Sequence, residues 1–179
     1  MKLYTVKDEY VEYLRKFDNR ILSNQGTDYK KRRKYIGVLL EINGCKYLAP
    51  LSSPKKHDYT EDGKIRKNII PIIRIIHNDQ LLGTIKLGCM IPIYDEKVIK
   101  YYDIEKETDL KYKDLVTDEL EFMYKNKELI MKNAKRLYKQ KKLKLNIGYV
   151  KNTVDFYLLE EKAKEYNEKK YWQYYLDNI

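Results

Sequence analysis

The segment YIGVLLEI-NG-CKYLAPL, residues 35–51, decides the fold. It contains two strand-like runs, at 35–42 and 45–51, rich in β-branched, aromatic and other apolar residues. Asn43-Gly44 joins them, and both residues tolerate the positive φ that a two-residue hairpin turn requires. The segment therefore predicts an antiparallel hairpin at the centre of the chain.

Outward from this hairpin, strand-like segments cluster in the middle of the chain and helical periodicity in its ends. Thr5 and Asp8 have the spacing of a capping box for the first helix, and Asn152 with Asp155 would start the last one. Hairpins without βαβ alternation predict an α+β fold with a mainly antiparallel sheet. The predicted strands are 2–6, 69–76, 81–87, 90–94 and 97–104, the helices are 6–17, 108–125, 127–143 and 153–176, and 18–33 is a long loop.

Length and composition predict one globular domain, residues 1–179, with 43% hydrophobic and 36% charged residues. No apolar run is long enough to span a bilayer. The N-terminus becomes charged at Lys7-Asp8-Glu9, too early for a signal peptide, so we expect a cytoplasmic protein without membrane contact. Cys45 and Cys89 are too few for a disulfide framework, and both are predicted to be buried in strands.

The formal net charge of +10 favours a polyanionic partner. Basic residues concentrate at 30–34 and again at 135–144. Tyr29 and Tyr35 flank the first cluster and Tyr138 lies within the second, an arrangement suited to RNA because bases stack on aromatic rings while cations contact phosphates. A lysine-rich, AT-biased genome would explain the charge without any such partner.

The motifs of phosphate loops, dinucleotide sites, zinc proteases and serine hydrolases are absent. With only two histidines, His57 and His77, the sequence predicts no metal site and no cofactor. His77 ends an apolar strand, where a structural role is expected. His57 ends the polar loop 51–57, which is either an ordinary solvated loop or a site of hydroxyls and cations. Metal-free RNA cleavage needs only such groups: a base, an acid and donors for the charge on phosphorus.

The hairpin and loop, residues 35–55, resemble the core motif of the ToxN/AbiQ family, and their most specific part is KYLAPLSSPKK at 46–56. The family comprises the protein toxins of type III toxin–antitoxin systems. Further similar segments occur in the same order: Leu3-Tyr4-Thr5-Val6 with Tyr13-Leu14 and Phe17-Asp18, then Met90-Ile91-Pro92-Ile93, and Phe156-Tyr157-Leu158-Leu159-Glu160-Glu161-Lys162.

The resemblance implies a bacterial endoribonuclease toxin that needs no metal, cuts at adenine-rich sites and leaves 2′,3′-cyclic phosphate and 5′-hydroxyl ends. It implies two kinds of RNA partner: cellular or phage substrates, and an antitoxin built of pseudoknot repeats that the toxin processes and that inhibits it in a closed protein–RNA assembly. The implied role is phage defence, abortive infection or plasmid maintenance. The implied fold is a compact, strongly twisted antiparallel sheet with surrounding helices, similar to the MazF/Kid toxins.

By motif position, the family's catalytic residues fall on Tyr29, Ser52, Ser53 and Lys55. A further family lysine falls on Arg33, with Lys34 beside it. Arginine holds phosphate well but is a poor proton shuttle, so either Arg33 is purely electrostatic or Lys34 takes the role. The residues expected to bind RNA phosphates are Lys31, Arg32, Arg33, Lys34, Lys56, His57, Lys141 and Lys142.

Two other functions remain open from the sequence. A non-catalytic module that binds structured RNA would use the same basic patches without cleavage. A DNA-binding autoregulator would bind DNA as well as it binds RNA, since it would not need the 2′-hydroxyl.

Overall fold

The computed structural model describes residues 1–24 and 33–176, with the backbone alone described for 170–175. In these ranges seven strands and five α-helical segments follow one another, with short 3-10 turns between some of them. The strands are β1 (Lys2–Val6), β2 (Tyr35–Ile42), β3 (Cys45–Ser52), β4 (Ile72–His77), β5 (Gln80–Lys86), β6 (Ile91–Ile93) and β7 (Ile99–Tyr101); the helices are α1 (Asp8–Arg15), α2 (Leu110–Lys125), α3 (Lys127–Lys142), α4 (Gly148–Lys151) and α5 (Phe156–Leu176).

The strands form one sheet in the order β4-β5-β3-β2-β1-β7, with β6 also paired to β3. Every strand pair is antiparallel. Strand β3 is central because residues between 45 and 50 pair with β2, residues 46–48 pair with β6, and its last two residues pair with β5. The predicted α+β fold with an antiparallel sheet is therefore confirmed.

The predicted hairpin is present as β2 and β3. Asn43 and Gly44 have φ values of 53° and 74°, as the turn requires. The two strands lie very close at Gly37, where a Cβ would be 2.6 Å from Cγ of Leu48. The sheet could not pack in this way with a larger residue at position 37.

Helix starts differ from the sequence expectation. Thr5 pairs with Lys100 inside the sheet, so it cannot cap α1, which begins after Lys7 without a side-chain cap. The last helix starts at Phe156 rather than at residue 153. Its cap is Asp155, whose Oδ1 accepts hydrogen bonds from the backbone N–H groups of Tyr157 and Leu158. Asn152 instead ends the short helix α4.

The core lies between the sheet and the helices and includes tyrosines expected to stack on RNA. Tyr35 is fully buried and donates a hydrogen bond to Oδ1 of Asn24. Tyr138 is buried and donates to Oε1 of Glu160. Stacking by these two rings was a wrong expectation, because their positions on the sheet and on α3 turn them inward. Cys45 is buried in β3 as predicted, whereas Cys89 lies in a 3-10 turn after β5.

Within the described ranges, no helix combines the length and the apolar composition that a membrane crossing requires.

Candidate active site

The polar loop begins where β3 ends, at Ser52. Ser52 pairs with Thr84 of β5, and Thr84 pairs in turn with Arg74 of β4. Residues that face each other across antiparallel strands present their side chains on the same face. Ser52, Thr84 and Arg74 therefore form a polar row across three strands, directly beside the loop that carries Ser53 and Lys55.

Asp58 is fully buried and holds this loop in place. Its Oδ2 accepts a hydrogen bond from the backbone N–H of Lys55 at 3.1 Å, while its own N–H donates to the carbonyl of Lys55 at 2.8 Å. Its Oδ1 accepts one from Nη2 of the buried Arg74 at 3.2 Å. The ion pair between Asp58 and Arg74 thus attaches the loop backbone to β4. The exposed side chains of the loop project from this fixed backbone.

The loop side chains differ in exposure. Ser52 is buried, and its Oγ donates to the carbonyl of Ser53 at 3.3 Å. Ser53, Lys55, Lys56 and His57 are exposed. Among the described residues, neither the Ser53 hydroxyl nor the Lys55 ammonium has a bonded partner, so both can contact a ligand.

Arg33 and Lys34 are both buried, and their side chains lie in different places. The guanidinium of Arg33 donates to the carbonyls of Leu51 at 2.6 Å and Ser23 at 3.0 Å, which holds the end of β3. The ammonium of Lys34 lies 4.4 Å from the centre of the Tyr102 ring. Phosphate binding by either residue stays a prediction, and these contacts give each of them a structural role as well.

Lys86, the last residue of β5, was missed in the sequence. Its Nζ lies 3.9 Å from Oδ1 of Asp58, and its side chain is only 12% exposed. Burial is the main cause that lowers the pKa of Lys86; Asp58 counteracts it and Arg74 reinforces it. The sequence signal that could have indicated a buried cation here is Arg74. Its charge lies inside the apolar run Ile72-Ile73-Arg74-Ile75-Ile76 and requires a buried partner, which implies a buried polar face.

Glu119 of α2 lies on the other side of β5. A Cβ on Gly83 would be 2.6 Å from Oε1 of Glu119 and 3.2 Å from the carbonyl oxygen of Ser52. The carboxyl is buried, and burial raises the pKa of Glu119 to about 7. The sequence did not indicate this residue, because it occupies an ordinary position in a charged helix.

The second basic cluster is less uniform than expected. The ammonium of Lys141 donates to the carbonyls of Thr153 at 2.7 Å and Val150 at 3.2 Å, so it holds the end of α4. Lys142 beside it is exposed. RNA contact by this cluster stays a prediction, and Lys142 is the better placed of the two. Tyr29, Lys31 and Arg32 lie outside the described residues.

In the described part of the chain, one group of possible metal ligands comes together: His77, Asp118 and Glu121, with ligand atoms within 4.8 Å of one another. They belong to the end of β4 and to α2 rather than to the Ser52–Lys55 loop. Glu121 also pairs with Lys125 at 2.5 Å. The loop itself presents hydroxyls and cations, and its buried carboxylate, Asp58, is bonded to Arg74 and to the backbone of Lys55.

Proteins of known sequence resemble this chain over nearly its whole length. Endoribonuclease ToxN of Pectobacterium atrosepticum is 33% identical over 175 residues, covering 94% of this chain and 95% of that protein. Endoribonuclease AbiQ of Lactococcus lactis subsp. lactis is 30% identical over 177 residues, covering 97% and 93%.

Solved structures of other proteins have a similar fold. A protein from work on a processed non-coding RNA that regulates a bacterial antiviral system superposes with a TM-score of 0.81 at 32% identity, covering 92% of this chain and 98% of that one. AbiQ, described as a lactococcal anti-phage endoribonuclease of a type III toxin–antitoxin system, gives a TM-score of 0.75 at 25% identity, covering 93% and 98%. The expected likeness to MazF and Kid stays a prediction.

A family model described as toxin ToxN of type III toxin–antitoxin systems matches residues 2–164. With most of its length matched and relatives at 30% identity or above covering nearly all of it, the chain belongs to the ToxN family of type III toxin–antitoxin systems.

Proposed function

We propose that this chain is a metal-independent endoribonuclease toxin. It cleaves cellular or phage RNA at adenine-rich sites, and it leaves 2′,3′-cyclic phosphate and 5′-hydroxyl ends. An antitoxin RNA of pseudoknot repeats inhibits the toxin and is itself processed by it. Toxin and antitoxin RNA form a closed protein–RNA assembly in the cytoplasm. Its role is defence against phage by abortive infection, or plasmid maintenance.

The observation that supports cleavage is that the exposed hydroxyl of Ser53 and the exposed ammonium of Lys55 are held by a fixed backbone. Ser53 and Lys55 are exposed on a loop whose backbone is hydrogen-bonded to the buried Asp58. A platform that only binds RNA gains little from such rigidity, whereas catalysis needs groups held where charge develops. The family membership and the relatives named as endoribonucleases support the same function.

The reaction is an internal transesterification. The 2′-hydroxyl loses its proton to a base, its oxygen forms a bond to the adjacent phosphorus, and the bond from phosphorus to the 5′-oxygen breaks as an acid protonates that oxygen. Lys55 stabilises the charge on the pentacoordinate phosphorus and transfers a proton, while Ser53 and Ser52 orient the phosphate and the 2′-hydroxyl. Tyr29 is the proposed proton donor or stacking partner.

The chemistry of the donors supports metal independence. A divalent cation such as Mg²⁺ or Ca²⁺ prefers carboxylate oxygens. Around this loop the described residues supply mostly ammonium, guanidinium and hydroxyl groups, and Asp58 is already paired with Arg74. Cations of the protein therefore take the role that a bound metal has in other nucleases.

Replacement of Lys55 by alanine is the test. We expect Lys55→Ala to abolish growth arrest in cells without the antitoxin and to reduce cleavage by the purified protein about 100-fold or more. Stability should change by less than about 0.5 kcal/mol because the side chain is exposed and leaves no cavity. Cleavage by the wild type should persist in EDTA and leave cyclic phosphate ends.

Lys100→Ala is the matched control, since Lys100 is an exposed lysine of the edge strand β7, which β1 and β2 separate from β3. It should cleave as the wild type does. Activity that disappears in EDTA and returns with Mg²⁺ would contradict the mechanism. RNA binding without any cleavage would show that the chain is a non-catalytic RNA-binding module.

A further inference from the structure

Among the described residues, the buried polar cluster beside the loop contains more positive than negative charge. Asp58 is a single carboxylate, and two cations face its Oδ1: Nη2 of Arg74 at 3.2 Å and Nζ of Lys86 at 3.9 Å. Arg74 is the closer partner, is itself buried, and stays protonated at any accessible pH. The carboxylate is therefore neutralised by Arg74, and Lys86 remains as a surplus cation that is largely removed from water.

Lys86 lies on the same face of the sheet as the polar row. Side chains two residues apart in a strand project to the same side, so Lys86 follows Thr84 on the face that also presents Ser52 and Arg74. Thr84 Oγ1 donates to the carbonyl of Ser52 at 3.4 Å, which brings this part of β5 against the start of the loop. The positive charge of Lys55 is near enough to Lys86 to contribute to the lowered pKa of Lys86.

A surplus cation in a poorly hydrated place favours an anion, because burial limits its hydration and no second carboxylate of the described residues compensates its charge there. The neighbouring exposed groups, Ser53 and Lys55, are those expected to meet the scissile phosphate. An RNA phosphate bound between them and Lys86 would complete the charge balance that the described part of the chain leaves open.

We propose that Lys86 is a further catalytic residue of the RNA cleavage site, whose ammonium contacts the scissile phosphate opposite Lys55. This inference rests on the proposed endoribonuclease function. During the attack by the 2′-oxygen, the phosphate changes from one negative charge to nearly two, and a fixed ammonium stabilises the second charge more than the first. Lys86 keeps its proton throughout, so the bond changes are those of the transesterification itself.

The environment of Lys86 makes its contribution dependent on pH. Within the described ranges, the charged and titratable groups that face it are Asp58 and Lys55 from the loop, Arg74 from β4 and Cys89 from the turn after β5. Their combined effect with burial is a lowered pKa, so Lys86 loses its charge at a lower pH than an ordinary lysine. Cleavage should therefore decrease on the alkaline side as Lys86 deprotonates.

The test measures kcat/KM for a short adenine-rich RNA against pH in the wild type, Lys86→Met and Lys86→Arg, with Lys100→Met as control. We expect Lys86→Met to lower kcat/KM about 100-fold. Lys86→Arg should keep most of the activity and move the alkaline decrease to higher pH, because arginine stays charged. Thermal unfolding of each variant separates this effect from a loss of fold.

A second measurement uses the same RNA with a 2′-deoxy nucleotide at the cleavage site, which binds but cannot react. Lys86→Met should reduce the dependence of its binding on salt by about one counterion. Cleavage by folded Lys86→Met at the wild-type rate, or an alkaline limb that Lys86→Arg does not move, would overturn the proposal. If the wild type does not cleave RNA at all, the proposed function fails, and an unchanged salt slope for Lys86→Met then rejects the phosphate site as well.

Discussion

Glu119 is a buried carboxyl on the face of β5 opposite to the polar row. Its carboxyl is buried against Gly83, where a Cβ would be 2.6 Å from Oε1 of Glu119. In the described part of the chain it has no hydrogen-bond partner, and burial alone raises its pKa to about 7. The group is therefore neutral in acid and becomes a buried anion above neutrality.

The sign of its effect on stability follows from proton uptake. A glutamate in water has an ordinary pKa of 4.5, whereas burial raises the pKa of Glu119 in the folded protein to about 7. Between these pH values the folded state therefore binds more protons than the unfolded state, and stability must fall as the pH rises through this window. We expect Glu119→Gln to unfold at the same free energy as the wild type near pH 4, and to be more stable at pH 8 by on the order of 3 kcal/mol.

Urea unfolding at the two pH values measures this difference. Glu121→Gln is the control, since Glu121 is exposed on the same helix. An equal gain for both variants at pH 8 would point to the net charge of the protein rather than to the burial of Glu119.

At the scale of elements, Asp58 joins the loop after β3 to β4 and β5. Its carboxylate contacts the backbone of Lys55, the guanidinium of Arg74 and the ammonium of Lys86. Removing one member of a buried ion pair leaves the other charges uncompensated, which is more costly than the loss of an exposed pair. The loop should lose its position when this carboxylate is neutralised.

We therefore expect Asp58→Asn to lower the free energy of unfolding by about 3 kcal/mol and to reduce RNA cleavage even where the protein remains folded. The matched change is Asp62→Asn, whose carboxylate pairs with Lys64 at the surface and should cost far less, because water screens an exposed ion pair. Chemical denaturation and a cleavage assay at low temperature measure the two effects. Equal stabilities for the two variants would show that Asp58 does not anchor the loop.

At the scale of the whole molecule, the net charge of +10 should make RNA binding strongly dependent on salt. A folded repeat RNA has a larger footprint than a short substrate, so it should also contact cations far from the loop. We expect Lys142→Glu to weaken the binding of repeat RNA several-fold and to change cleavage of a short RNA by less than twofold, because Lys142 is exposed at the end of α3.

Titrations with repeat RNA at two salt concentrations test this prediction, with Lys100→Glu as a control for net charge. If Lys142→Glu binds the repeat RNA with wild-type affinity and salt slope, the end of α3 is only a solvated surface.

The sequence by itself determined the parts of the fold whose signals are local. Asn43-Gly44 and the two apolar runs around it specify the hairpin, since a turn with two positive φ values selects few residue types. The three long helices and α1 also followed from periodicity. α1 starts later than expected because Thr5 is taken by the sheet, and α5 starts later because Asp155 rather than Asn152 caps it. The polar loop at 52–57 could be placed because it directly follows the hairpin.

Only the tertiary structure decided what surrounds that loop. Ser52 meets Thr84 across 32 residues of chain, and Asp58 meets Arg74 across 16. No local pattern encodes such pairings, since they depend on strand register and on which faces the helices cover. For the same reason the sequence left Lys86 and Glu119 unnoticed and placed Tyr35 and Tyr138 at an RNA surface, whereas packing buries both rings. Burial is a property of the whole assembly of elements, and it alone separates a solvated charge from one that requires a partner.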